Sequence, residues 1–153
     1  MGLGRIINKV GNCCGYDIEY FYDVDGNVIK RKDANDEEFL YEYDSQGNMI
    51  KETDPLYYTA EYYYSEFTYD SSNGTSPTLL DSMKDKNGNM TTYEYAPMFG
   101  VPLPLLWKEN KPLGVTYIYN YDIEGRMTIS YDPKQNQTKY FSDATTGYLN
   151  KVE

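Results

Sequence analysis

Apolar and polar positions alternate along much of this chain. In three stretches an aromatic or aliphatic residue occupies every second position, while the residues between them are mixed in character. A period of two that is rich in aromatic residues predicts β-strands with one face buried and the other partly covered. We find no convincing 3.6-residue apolar period, so we predict an all-β chain. The three stretches are Ile18, Tyr20 and Tyr22; Phe39, Tyr41 and Tyr43; and Tyr117, Tyr119 and Tyr121.

An aspartate follows each stretch directly, and a glycine comes three residues after it. This spacing predicts a type I turn in which the aspartate accepts backbone hydrogen bonds and the glycine takes a positive φ. The result is a three-residue hairpin loop with a glycine bulge. A fourth pair elsewhere has the same spacing. The predicted turn residues are Asp23 and Gly26, Asp44 and Gly47, Asp85 and Gly88, and Asp122 and Gly125.

A second set of turns is predicted about midway between the first ones. Each begins with Asn or Asp, and Pro55 and Pro133 suit the second turn position, where φ is near −65°. Strand, turn, strand and turn then repeat, which predicts a continuous antiparallel meander. The segments are 12–15 (with Cys13 and Cys14 at its centre), 33–36, 54–55, 85–88 and 132–133.

Internal repetition supports this organisation. Residues 22–30 and 43–51 align directly, and 121–128 is a third copy. Marker glycines lie 21 to 27 residues apart, which predicts about six units with degenerate middle ones. We predict a single domain over 1–153, with an apolar, proline-broken insertion at 96–107 that forms a loop or irregular strand over one face. The markers are Gly4, Gly26, Gly47, Gly74, Gly100, Gly125 and Gly147.

The composition of the chain argues against several classes of function. The 153 residues carry a formal charge of −10, which argues against nucleic-acid binding and against docking on anionic lipid. Histidine is absent, which excludes Ser-His-Asp and Cys-His catalysis and His-ligated zinc. No apolar run is long enough for a membrane span or a signal peptide. The 19 Tyr, 5 Phe and 1 Trp indicate a folded chain rather than a disordered acidic one.

The acidic residues are better explained by turns than by metal binding or catalysis. If Gly26 stood at the sixth position of a calcium loop, Phe21 and Lys32 would occupy positions that require acids. The acids of the pattern are exposed, so nothing raises a carboxyl pKa as general acid catalysis requires. We therefore predict no catalytic residue, no metal ligand and no cofactor. Cys13 and Cys14 are predicted turn residues, with a strained vicinal disulfide or a redox-sensitive pair as the alternative.

The tyrosines allow two interpretations. Their rings could stack between neighbouring units as core, or lie on an open face and bind sugars or a partner chain. Alternation does not distinguish these, since it does not show which face turns inward. The candidate contact residues are Trp107, Tyr41, Tyr43, Tyr119 and Tyr121.

The repeat resembles a known family. Residues 41–50, Tyr-Glu-Tyr-Asp-Ser-Gln-Gly-Asn-Met-Ile, resemble the tyrosine-aspartate (YD) repeat of the Rhs family, and 20–29 are nearly as similar. The resemblance is strong over 4–55 and 114–153 and weaker over 56–113. It implies a curled β-sheet that forms part of a hollow shell, as in bacterial polymorphic toxins, insecticidal toxin complexes and teneurins. The segment Asp132-Pro133-Lys134-Gln135 lacks the glycine of the family's self-cleavage motif, so self-cleavage is not implied.

The resemblance implies a non-catalytic, structural function. Six units are too few for a shell, so the chain is expected to be a fragment or a short relative that contributes wall around a toxin or other cargo polypeptide. A secreted or cell-surface location follows from the family, and the charge suggests a basic cargo. The alternative is an adhesion or carbohydrate-binding module that uses exposed Tyr and Trp. Edge-to-edge pairing between chains is a third prediction.

Overall fold

A computed structural model describes residues 17–67, 77–97 and 104–153, together with the backbone of residues 5–11. These described residues contain thirteen β-strands and one short 3-10 turn, Pro112–Gly114. The all-β prediction is therefore confirmed. The strands are β1 Arg5–Gly11, β2 Asp17–Tyr22, β3 Val28–Lys32, β4 Glu38–Tyr43, β5 Met49–Thr53, β6 Thr59–Glu66, β7 Thr78–Lys84, β8 Met90–Ala96, β9 Leu105–Lys111, β10 Val115–Tyr121, β11 Met127–Tyr131, β12 Gln137–Ser142 and β13 Leu149–Val152.

The strands form the predicted meander. They follow one another in the sheet in chain order, and the strand pairs β1–β2 through β5–β6 and β8–β9 through β12–β13 are antiparallel. Two compact units can be distinguished in the chain. The first consists of Met1–Tyr63 with Lys84–Asn89, and the second of Tyr64–Met83 with Met90–Glu153.

The turn between β4 and β5 shows how each glycine hairpin is built. The Asp44 N–H donates to the Asn48 carbonyl (2.9 Å), and the Gly47 N–H donates to the Asp44 carbonyl (3.2 Å). The Asp44 carboxylate accepts from the backbone N–H of Gln46 (2.8 Å) and Asn48 (2.9 Å) and from the Asn48 side chain (2.9 Å). The pairing register shifts next to this turn, which is the predicted bulge.

The same geometry recurs at the other predicted glycine turns. Asp23, Asp85 and Asp122 each accept two backbone N–H bonds and one side-chain bond, which Arg126 supplies in the last case. The glycines of all four turns have positive φ, between 81° and 93°.

Three of the midway turns adopt this geometry without glycine, whereas the midway turn 85–88 has Gly88. Asp33, Asp54 and Asp132 bind the turn backbone as Asp44 does, and Pro55 and Pro133 follow the aspartate as predicted. The residues at the glycine position have φ of 65° or 66°, a region that non-glycine residues seldom occupy. The positions of these turns are as predicted, but their left-handed residues, Asp36, Tyr57 and Gln135, were not predicted.

A further turn was not predicted from the sequence. Between β9 and β10, Leu113 and Gly114 have φ of 63° and 74°, and the Val115 N–H donates to the Pro112 carbonyl. This turn begins with Lys111-Pro112 and therefore lacks the aspartate that marks the others.

Neither face of the sheet is buried in the part of the chain that the structure describes. There, only Ala60, Ser82 and Pro104 are buried, and most strand side chains are half-buried. The expectation that one face would be buried was therefore wrong. A single layer of strands leaves both faces accessible, because burial of a face requires a second layer against it.

Some predictions fall on residues outside the described ranges. They are the Cys13–Cys14 turn, the markers Gly4, Gly74 and Gly100, and residues 98–103 of the insertion. The end of the insertion is described, and Leu105–Trp107 belongs to strand β9. The single-domain prediction and the curling of the sheet stay predictions.

Replacing Gly47 by alanine is expected to lower the free energy of unfolding by about 1–2 kcal/mol. The nearest non-neighbouring atom to an added Cβ would be 3.9 Å away, so the cost is conformational rather than steric. The matched change Gln135→Gly relieves the positive φ but adds backbone entropy, and is expected to alter stability by less than about 0.5 kcal/mol. Urea unfolding of both variants measures this, and equal losses would contradict the assignment.

Candidate functional site

Tyrosines lie together on one face of the sheet, which we call the tyrosine face. In the first unit it carries Tyr20, Tyr41 and Tyr43, which line one cavity with Val28 and Met49. The cavity has a volume of about 290 Å³. The two candidate residues Tyr41 and Tyr43 are thus brought together by the alternation along β4 and by the pairing of Tyr43 with Met49.

One hydrogen bond of the tyrosine face recurs in both units. The hydroxyl of the last tyrosine in a strand donates to a backbone carbonyl fifteen residues earlier in the chain. This bond ties the strand to the start of the strand before it. The pairs are Tyr43 to Val28 (3.1 Å), Tyr95 to Leu80 (2.9 Å) and Tyr121 to Leu106 (2.7 Å).

These hydroxyls are partly withdrawn from water. Burial raises the pKa of Tyr43, Tyr95 and Tyr121, because a phenolate would lose its hydration there. Tyr95 was not predicted as a site residue, since Ala96 stands where the motif has aspartate. The tyrosine bond therefore forms in a degenerate repeat that has no aspartate after the tyrosine.

A carboxylate lies among the tyrosines of the second unit. Glu109 stands opposite Tyr93 on β8 and Tyr117 on β10, and its side chain is only 15% exposed. It accepts a hydrogen bond from the Tyr119 hydroxyl (3.2 Å) and pairs with Lys111 (3.4 Å). Burial, with the Glu109 charge, raises the pKa of Tyr119 to about 12.

Trp107 lies in a separate groove of the second unit. The pairing register of β8 and β9 passes from Glu94–Lys108 to Tyr95–Leu106, so Trp107 is the extra residue of a bulge. Trp107 is 37% exposed, and the groove has a volume of about 320 Å³. The lining residues are Ser65, Glu66, Phe67, Leu79, Asp81, Tyr93, Glu94, Tyr95 and Trp107.

The carboxylates of the turn aspartates already accept hydrogen bonds from within their turns. The asparagine side chain at the end of the turn, with backbone N–H groups, lowers the pKa of each of these carboxyls. An aspartate of this kind remains ionised and has its oxygens already bonded, so it is poorly suited to proton transfer. The four carboxyls are those of Asp23, Asp44, Asp85 and Asp132.

Ion pairs join neighbouring strands on the opposite face. Lys30 pairs with Glu38 (2.9 Å), Lys51 with Glu42 (3.0 Å) and Lys108 with Glu94 (2.8 Å). The bonds from Lys108 and Asn110 lower the pKa of Glu94. Partly exposed pairs of this kind contribute little stability individually, so their main effect is to keep this face polar.

The predicted contact residues therefore lie in three places. Tyr41 and Tyr43 share the cavity of the first unit, Tyr119 and Tyr121 lie on β10 near Glu109, and Trp107 lies in its groove. Among the described residues no helix is long and apolar enough to cross a membrane.

Comparison with known families supports the repeat. The RHS Repeat family model matches residues 22–59, which include the turns at Asp23, Asp33, Asp44 and Asp54. The predicted Rhs/YD-repeat resemblance is thereby confirmed for residues 22–59. No curated protein matches the chain significantly.

Tyr119 is expected to ionise near pH 12 in the folded protein. Because this pKa is above the unfolded value of about 10, its contribution to stability is complete below pH 10 and is lost as the pH rises toward 12. The absorbance at 295 nm of wild type minus Tyr119→Phe isolates this ionisation. Glu109→Gln should move its midpoint part of the way toward 10, since burial remains. A midpoint near 10 in the wild type would contradict the assignment.

Proposed function

We propose that this chain forms part of the wall of a shell that encloses a polypeptide. It acts as a structural repeat segment without catalysis of its own. The observation that carries the proposal is the recurrent hairpin whose tyrosine hydroxyl bonds to the preceding strand. A hairpin that bonds to the preceding strand in the same way each time suits a wall that is extended by adding further hairpins.

The accessibility of both faces supports this proposal. A one-layer sheet that buries so few of its described residues gains little from its own core. Half-buried tyrosines on one face and paired charges on the other suit a wall with two different environments. Rhs repeats occur in extracellular and cell-surface proteins, and we propose such a location here. The charge of −10 favours an enclosed polypeptide of opposite charge.

Cryo-electron microscopy of the protein expressed from its complete reading frame tests the wall. The expected result is a closed shell in which these strands form wall and polypeptide density lies inside. Trypsin should then cut the enclosed polypeptide only after the shell is unfolded. A sheet with solvent on both faces, or an enclosed segment cut at the rate of an exposed one, would contradict the proposal.

The Trp107 groove favours a second candidate, a saccharide-binding surface. Sugar rings stack on exposed aromatic rings, and carboxylates accept hydrogen bonds from hydroxyl groups. The groove offers both, with Trp107 beside Asp81 and Glu66. Its lining residues belong to one unit, so the site would be complete there.

A glycan array read together with Trp107 fluorescence tests this candidate. Trp107 is the single tryptophan, so a change in emission on titration reports the groove directly. Trp107→Ala should abolish array binding, while Tyr148→Ala, which removes an exposed ring outside the groove, should not. Absence of any glycan response, or an equal loss in both variants, would reject the saccharide site.

A further inference from the structure

A cleft lies between two midway turns of the first unit. It is bounded by the turn that begins at Asp33 and the turn that begins at Asp54, and it has a volume of about 390 Å³. Leu40 and Thr53, which pair across β4 and β5, line it between the two turns. The lining residues are Asp36, Glu37, Glu38, Leu40, Thr53, Asp54, Pro55, Leu56 and Tyr57.

Large apolar side chains are concentrated and exposed here. Leu56 is 74% exposed and Tyr57 is 84% exposed, and Leu40 is also exposed. Exposed apolar side chains that adjoin one another mark interaction surfaces more often than single ones do.

Tyr57 is held in an unfavourable backbone conformation. Its φ is 65°, at the position that Gly47 occupies in the preceding turn. A bulky aromatic residue is seldom found in this region, and its side chain makes little buried contact here to offset the cost. The fold itself therefore gives no reason for an aromatic residue at this position.

The charge of the cleft indicates what would bind. Asp36 is paired with Lys32 (2.8 Å) and Glu38 with Lys30 (2.9 Å), while Glu37 makes no ion pair within the described residues. Asp54 shares Lys86 with Glu52 (3.4 and 3.3 Å). Carboxylates thus outnumber the cations that neutralise them, beside an apolar surface.

From this combination we propose that the cleft binds a polypeptide segment in which basic and apolar side chains alternate. The apolar side chains contact Leu40, Leu56 and Tyr57, and the basic ones lie near Glu37. This binding does not depend on the chain forming a shell wall.

Fluorescence anisotropy with a labelled peptide of alternating arginine and leucine tests the proposal. The comparison peptides replace arginine by glutamate, or leucine by serine. The wild type should bind the first peptide at least about tenfold more tightly than either comparison peptide, and added salt should weaken that binding.

Two variants make the test specific. Tyr57→Asn removes the ring but suits a positive φ, so the turn should fold, and Kd should rise by about tenfold or more. Leu113→Asn is the matched control, because Leu113 is another exposed apolar residue at positive φ, in the other unit. Its Kd should not change.

Several results would overturn the proposal. They are the absence of binding, equal affinity for the glutamate peptide, and unchanged affinity in Tyr57→Asn. Sedimentation of the chain alone provides a further check. A dimer that forms without peptide and is lost in Tyr57→Asn would show that a second copy of the chain occupies the cleft instead.

Discussion

This fold depends on the hydrogen bonds that an aspartate carboxylate accepts at the start of most of its described turns. In the Asp44 turn, one oxygen accepts two backbone N–H groups and the other accepts the Asn48 side chain. These bonds fix the chain reversal locally, without contacts from distant residues. The strands on either side are then placed in antiparallel register, and the alternation of side chains defines the two faces.

Tyrosine hydroxyls add hydrogen bonds between neighbouring strands to those within the turns. Because these hydroxyls bond to carbonyls of the preceding strand, each strand is stabilised mainly by its neighbouring strands rather than by a common core. Glu109 shows that the tyrosine face also accommodates a charge, provided that Tyr119 and Lys111 contact it. The face can thus vary chemically while its spacing is kept.

The sequence allowed the strands and aspartate turns to be predicted, because alternation and turn chemistry are local properties. Tyr57 and Gln135 were missed as left-handed residues, since neither residue type favours that conformation. The Leu113 turn was missed because it has no aspartate. The bond from Tyr121 to Leu106 depends on strand register, and the bulge at Trp107 likewise becomes visible only when β8 and β9 are paired.

The midway end of the hairpins accepts different residues at the left-handed position of its turns. Three of the midway turns keep the same backbone with Asp36, Tyr57 or Gln135 at the left-handed position, and the midway turn 85–88 has Gly88 there. That end can therefore display different side chains on an unchanged scaffold, as loops do on an immunoglobulin framework. A binding specificity could be exchanged there by substituting single turn residues, without redesign of the strands.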